Sequence, residues 1–166
     1  MNKRFVYSVA AVLSYAVTAV VAGAADTSAV ARGRYLVTIG SCNDCHTPGY
    51  MEQGPNVPES QWLVGTAVGF QGPWGTTYPA NLRLVAQRLT EAQWVTHARQ
   101  ERLPPMPWFN VAKMSDDDLK AVYAYIRSLG APGQPVPAYV APGGKVTTPY
   151  FVFVPQVDQK TAANGK

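Results

Sequence analysis

The sequence predicts an all-α domain followed by an extended tail rich in proline and glycine. Three observations carry that expectation. The stretch SDDDLKAVYAYIRSLGAP (115–132) places Leu119, Val122, Ile126 and Leu129 at helical spacing between clear start and stop signals. Two further segments, near 27–40 and 91–100, carry helical periodicity or a helix cap. Only YFVFV (150–154) resembles a strand, and it lies in the Pro- and Gly-dense region after residue 130. The 166 residues suit one domain, and 14 glycines with 14 prolines imply long loops between the helices.

The first residues read as a leader. Lys3 and Arg4 precede an apolar run over 5–21, and Ala22-Gly23-Ala24 ends it with small residues. That is the layout of a secretory signal peptide, 1–24, cut after Ala24 or Ala25. The alternative is an uncleaved membrane anchor, although Ser8, Ser14, Tyr15 and Thr18 dilute the apolar run. Removing Lys3 and Arg4 lowers the basic count from 14 to 12 against 10 acids, so the formal +4 falls to +2. So small an excess argues against nucleic acid as a partner.

The first helix is expected over about Thr27 to Gly40. Ala29, Gly33, Leu36 and Gly40 share one face, with Val30 and Val37 beside them. Gly33 weakens a helix, so another element should approach closely there. Gly40-Ser41 then break into CNDCH.

Cys42 and Cys45 are the only cysteines, and His46 follows directly. A disulfide across two residues closes a tiny loop and constrains the unfolded chain little. Zinc needs four ligands, and the chain has only 2 cysteines and 2 histidines, His46 and His97. C-x-x-C-H is instead the attachment signature of c-type haem. Two thiols one helical turn apart can each add to a vinyl group on adjacent pyrroles, and the next imidazole then faces the iron. In bacteria this attachment occurs outside the cytoplasm, so leader and motif agree. The expectation is one covalent haem c on Cys42 and Cys45, with His46 as the proximal iron ligand, in the periplasm.

The distal candidates are Met51, Met106, Met114 and His97. Met51 is too near His46 in sequence to wrap over the ring. Met114 precedes the cap Ser115 and suits packing, and His97 reads as an ordinary helical histidine. Met106 lies in ERLPPMPWF, where prolines forbid a regular helix and favour a rigid loop. From 46 to 106 is 60 residues, enough chain to pass around the ring and return. Met106 is therefore the expected distal ligand, since His/Met ligation is a standard c-type arrangement.

Between the motif and the second helix, Thr47 to Leu89 reads as loop, with a short helix at 82–89. Trp74, Tyr78, Asn81 and Arg83 there could reach haem propionates or simply anchor loops. The second helix, Glu91 to Gln100, starts from a Thr90/Gln93 capping box and offers Trp94 and Val95 for packing. The third starts at Ser115, with Asp116, Asp117 and Asp118 at the positive end of its dipole, and stops at Gly130. The tail from Ala131 should pack in extended form along the domain or a partner and fray at its end. Tyr139, Tyr150, Phe151 and Phe153 argue against full disorder. The layout is thus 1–24 leader, 25–130 haem domain, 131–166 tail.

Taken together, the helix before CNDCH, the methionine of LPPMPWF and the helix DLKAVYAYIRSLG resemble the class I cytochrome c family, over about Ala29 to Leu129. That resemblance implies three or more helices around one haem, with the first and last crossing beside it. More narrowly, GPWGTTYPANL and MPWFNVAKMSDDDLKAVYAYIRSL are similar to cytochrome c subunits of bacterial periplasmic dehydrogenases. Those subunits pass electrons from a flavin, quinone or molybdenum enzyme toward the respiratory chain. They often carry several haem motifs; this chain has one, which implies a single-haem carrier or accessory subunit. The expected role is single-electron transfer rather than catalysis. Its redox partners would be a dehydrogenase donor and an oxidase or second cytochrome acceptor, with membrane contact only if the leader is kept. Should Met106 not bind iron, the rival is a five-coordinate haem enzyme or gas sensor. A third reading is a structural subunit that docks through its tail.

Overall fold

The computed structural model describes residues 27–155. The leader at 1–24 and the fraying end of the tail lie outside the described residues. Helix α1 (27–39) is followed by α2 (Cys42–His46), α3 (Tyr50–Gln53) and two 3₁₀ turns, Gly54–Asn56 and Glu59–Gln61. Strands β1 (Gly69–Gly72) and β2 (Gly75–Thr77) come next. Helices α4 (Leu82–Arg88), α5 (Glu91–Ala98), α6 (Trp108–Ala112) and α7 (Asp116–Ser128) precede β3 (Tyr150–Val152).

The crossing of α1 and α7 sets the frame. Gly33 is buried, and a Cβ there would meet the Ala121 carbonyl and, at 2.7 Å, Tyr125 Cβ. The missing side chain lets the two backbones touch, as the weak helix former had suggested. Leu36 and Val37 of α1 then pack with Val122, Tyr125 and Ile126 of α7. Helix α7 begins as expected: Ser115 Oγ accepts from the Asp118 N–H at 3.1 Å. Arg32 pairs with Asp118 at 2.9 Å and Arg99 with Asp116 at 2.6 Å, tying that acidic turn to α1 and to the end of α5. Gly130, at φ 76°, ends the helix.

Helices α4 and α5 pack on α7. The Thr90/Gln93 capping box starts α5, which ends at Ala98, two residues short of the expected Gln100. Trp94 reaches α7 by donating to the Leu119 carbonyl at 3.0 Å. The short helix at 82–89 is present over Leu82–Arg88, with Asn81 as its cap. Met114 packs against the core, as expected of it.

The fold is mostly helical, with a small three-stranded sheet that corrects the loop reading of 47–89. Strands β1 and β2 form an antiparallel hairpin closed by Gly72 opposite Gly75. The tail flanks both sides of it. Val140 bridges Thr76 on the β2 side, and β3 lies parallel to β1 with Phe151 opposite Phe70. The hairpin has no period-two pattern, because glycines occupy its turn and its contact with the tail. Gly75 sits at φ 97° with its Cα against the Val140 carbonyl, where no side chain fits. The pairing is made by a segment more than 60 residues away in sequence, since Thr76 and Val140 are 140 − 76 = 64 apart.

Two tests follow from this frame. Gly33→Ala forces a methyl into the backbone of α7 and should lower the unfolding free energy by about 1–3 kcal/mol in denaturant titration. Glu59 accepts from Tyr125 Oη at 2.6 Å and pairs with Arg34 at 3.1 Å. The Tyr125 hydroxyl, then Arg34, hold its carboxyl below the usual 4.5. Its stabilisation is therefore fully present above pH 4.5 and lost as pH falls through the lower folded value. Because the pair is well exposed, Glu59→Gln should cost under about 1 kcal/mol at pH 7. Melting temperatures of variant and wild type should converge on acidification.

Candidate functional site

CNDCH folds as helix α2, placed at the end of α1 by a sharp turn. The Gly40 N–H donates to the Leu36 carbonyl at 2.8 Å, and Ser41 takes a left-handed φ of 55°. A non-glycine residue there stores backbone strain, which the packed helices on either side hold in place. Within α2, Cys42 and Cys45 are both free thiols and half-buried, while Asn43 and His46 are buried. The side chains at i and i+3 fall on one side of the helix. Burial pushes the Cys42 thiol up to about 11 and raises that of Cys45, with the nearby Asp44 carboxylate adding to both.

His46 is fixed by its backbone surroundings. Its Nδ1 lies 2.7 Å from the Ala80 carbonyl oxygen. A carbonyl only accepts, so Nδ1 carries the proton and Nε2 keeps its lone pair. Burial lowers the His46 pKa, opposed by the same Ala80 bond. The result is a neutral imidazole with one nitrogen ready to bind a metal.

The supports of this helix form a short chain of bonds. The His46 carbonyl accepts from the Gly65 N–H at 2.8 Å. Thr47 Oγ1 donates to Asn43 Oδ1 at 2.7 Å and accepts from the Leu63 N–H at 2.8 Å. Leu63 is fully buried at φ 61°, and its carbonyl takes the Leu82 N–H at 3.0 Å. Asn81 Oδ1 caps α4 through the Leu84 N–H at 3.1 Å, which fixes the residue after Ala80. Sequence reasoning missed Thr47, Leu63 and Ala80. Their roles are made by backbone groups and by one hydroxyl, and no residue type announces them.

The other expected residues fall in distinct places. Asn81 and Arg83 anchor loops: Asn81 Nδ2 donates to the Pro132 carbonyl at 3.0 Å, and Arg83 to those of Gly130, Ser60 and Trp62. Tyr78 Oη pairs with Thr148 Oγ1 at 2.8 Å. Trp74 Nε1 is buried without a protein partner among the described residues. His97 is half-buried beside Trp94 and within 3.1–3.3 Å of Arg102, an ordinary helical histidine as expected. Met51 is 67% exposed. Met106 is half-buried in a loop pinned to β2, where Thr77 Oγ1 donates to the Pro104 carbonyl at 2.9 Å. Among the described residues, no group of three or more His, Cys, Asp or Glu side chains could hold a metal ion by itself.

Residues 30–130 match the family model described as Cytochrome c. The chain belongs to the cytochrome c family. No curated protein and no solved structure matches it. As a cytochrome c it is a haem protein of electron transfer: it carries covalent haem c with iron and exchanges electrons with redox partner proteins. The donor set of α2 fits that group. Two free thiols one turn apart could form the thioethers, and the neutral His46, oriented by Ala80, could ligate iron.

Thr47 is the support whose loss should be most readable. Thr47→Val keeps the shape but strands the buried Leu63 N–H and Asn43 Oδ1. It should cost about 1–3 kcal/mol in chemical unfolding of the holoprotein.

Proposed function

We propose that this chain is an exported single-haem carrier of the periplasm, with Cys42 and Cys45 as thioether anchors, His46 as the proximal ligand and Met106 as the distal one. It would serve as carrier or subunit for a dehydrogenase that feeds the respiratory chain. The leader-like residues 1–24 and the similarity of GPWGTTYPANL to dehydrogenase cytochrome subunits support the compartment and the donor class.

One observation carries the ligand assignment. His46 hangs from the Ala80 carbonyl, and the Met106 loop hangs from the Thr77 hydroxyl. Both axial candidates are thus tied to the same segment, Thr77 to Ala80, which runs from β2 into the cap of α4. Met51 is exposed to solvent, Met114 packs in the core and His97 is engaged with Arg102. Met106 is the methionine left with a half-buried side chain on a pinned loop.

When bound, the haem supplies the one-electron Fe(III)/Fe(II) couple. The chain supplies the rest. Cys42 and Cys45 keep the group from dissociating. The Nδ1–H bond to Ala80 strengthens His46 as a donor and stops its ring from turning. The Met106 thioether favours the reduced state and fills the position small ligands would take. Pro104, Pro105 and Pro107 hold that thioether on a stiff backbone, so little moves when the charge changes.

Absorption and magnetic circular dichroism spectra of the holoprotein, with Met106→Ala beside it, test the reading. The wild type should be low-spin and indifferent to CO. The variant should turn high-spin, bind CO and lose potential. A wild type that is already high-spin and takes up CO would favour the five-coordinate reading. Fractionation of the native host, with mass spectrometry of the mature N-terminus, tests the periplasmic assignment.

A further inference from the structure

The edge strand β3 is unlike the rest of the surface. It ends the sheet order β2-β1-β3, so one side of it has no neighbouring strand among the described residues. The Pro149 carbonyl and the Phe153 N–H bond toward β1, at 2.8 Å and 2.7 Å. By alternation, Phe151 also faces β1, and Tyr150 and Val152 turn their N–H and C=O groups outward. Every residue from Tyr150 to Val154 is apolar or aromatic and 43–59% exposed.

Sheet edges of monomeric proteins are blunted by charge, by bulges or by a covering element. Here residues 146–157 contain no charged side chain. Pro149 and Pro155 bracket the strand instead, which confines pairing to a short length without blocking it. Phe70 packs against Phe151 and Phe153, with ring centres 5.6 and 5.5 Å apart, so the strand is held rigidly in place for a partner.

We propose that β3 is the edge through which two copies of this chain pair, antiparallel across a two-fold axis, to join their sheets. A two-fold contact must be self-complementary, and an uncharged strand meets that condition without like-charge repulsion. With the axis at Phe151, Tyr150 of one copy lies opposite Val152 of the other, and these are the residues with outward backbone groups. The aromatic and β-branched side chains then form favourable cross-strand pairs. Aromatic residues carry about 150–250 Å² each, so Tyr150–Val154 leave on the order of 400 Å² per copy at this edge. Two copies together bring roughly 800 Å², the size of a weak, reversible contact, so dimerisation is expected in the micromolar range.

Sedimentation equilibrium of the holoprotein across micromolar concentrations tests this, with Val152→Pro and Val152→Lys alongside. Proline at 152 removes an outward N–H and leaves the ladder to β1 intact. The wild type should dimerise, and each variant should weaken dimerisation at least tenfold with its haem absorption unchanged. Hydrogen exchange should show the Val152 amide slowed in the dimer and fast in Val152→Lys. A wild type that stays monomeric throughout, or variants that dimerise as well as it does, would overturn the proposal.

Discussion

The hydrogen bond between His46 Nδ1 and the Ala80 carbonyl is the contact on which the rest of the site depends. It decides the tautomer and the ring orientation together, while burial keeps the imidazole neutral. Ala80 can hold that position because Asn81 behind it is locked twice, as the cap of α4 and as a donor to Pro132. Helix α4 is in turn held to the end of α7 by Arg83 on the Gly130 carbonyl. The bond thus converts the packing of α4 and α7 into the direction of one nitrogen lone pair.

Strain appears where that geometry is enforced. Ser41 and Leu63 are the described non-glycine residues with positive φ, and they bracket α2 on either side. Ser41 turns the chain from α1 into the cysteine helix. Leu63 turns it back so that its N–H reaches Thr47 and Gly65 reaches the His46 carbonyl. Left-handed backbone at such residues persists only when the surroundings over-determine it. Burial of Leu63, with both its backbone groups bonded, does so here.

Much of this was legible in the sequence wherever the signal was local. Ser115, the acidic turn and Gly130 mark α7 within its own residues, and Thr90 with Gln93 does the same for α5. Gly33 revealed a close approach, though not that α7 made it. CNDCH named the candidate donors by spacing alone. The hairpin at 69–77 was illegible, because glycines carry it and its partner is the distant tail. Ala80 was illegible for a related reason: its contribution is a carbonyl that every residue owns. Trp74, Tyr78, Asn81 and Arg83 were ambiguous because a polar tip says nothing of its acceptor. Three of the four proved to be spent on protein groups.

The tail gives the sheet a purpose that helix packing alone does not supply. Strand β2 lies between β1 and the Val140 bridge, so the tail closes over both sides of the hairpin. Tyr139 Oη donates to the Trp74 carbonyl at 2.7 Å, which pins the hairpin tip as well. A two-stranded hairpin by itself would be marginal in water. With its edges paired, Thr77 at the end of β2 becomes a fixed post for the Pro104 carbonyl and the methionine loop behind it. The role proposed for Met106 calls for such a fixed support. The sheet extends that rigidity from the His46 side of the fold to the loop that carries Met106.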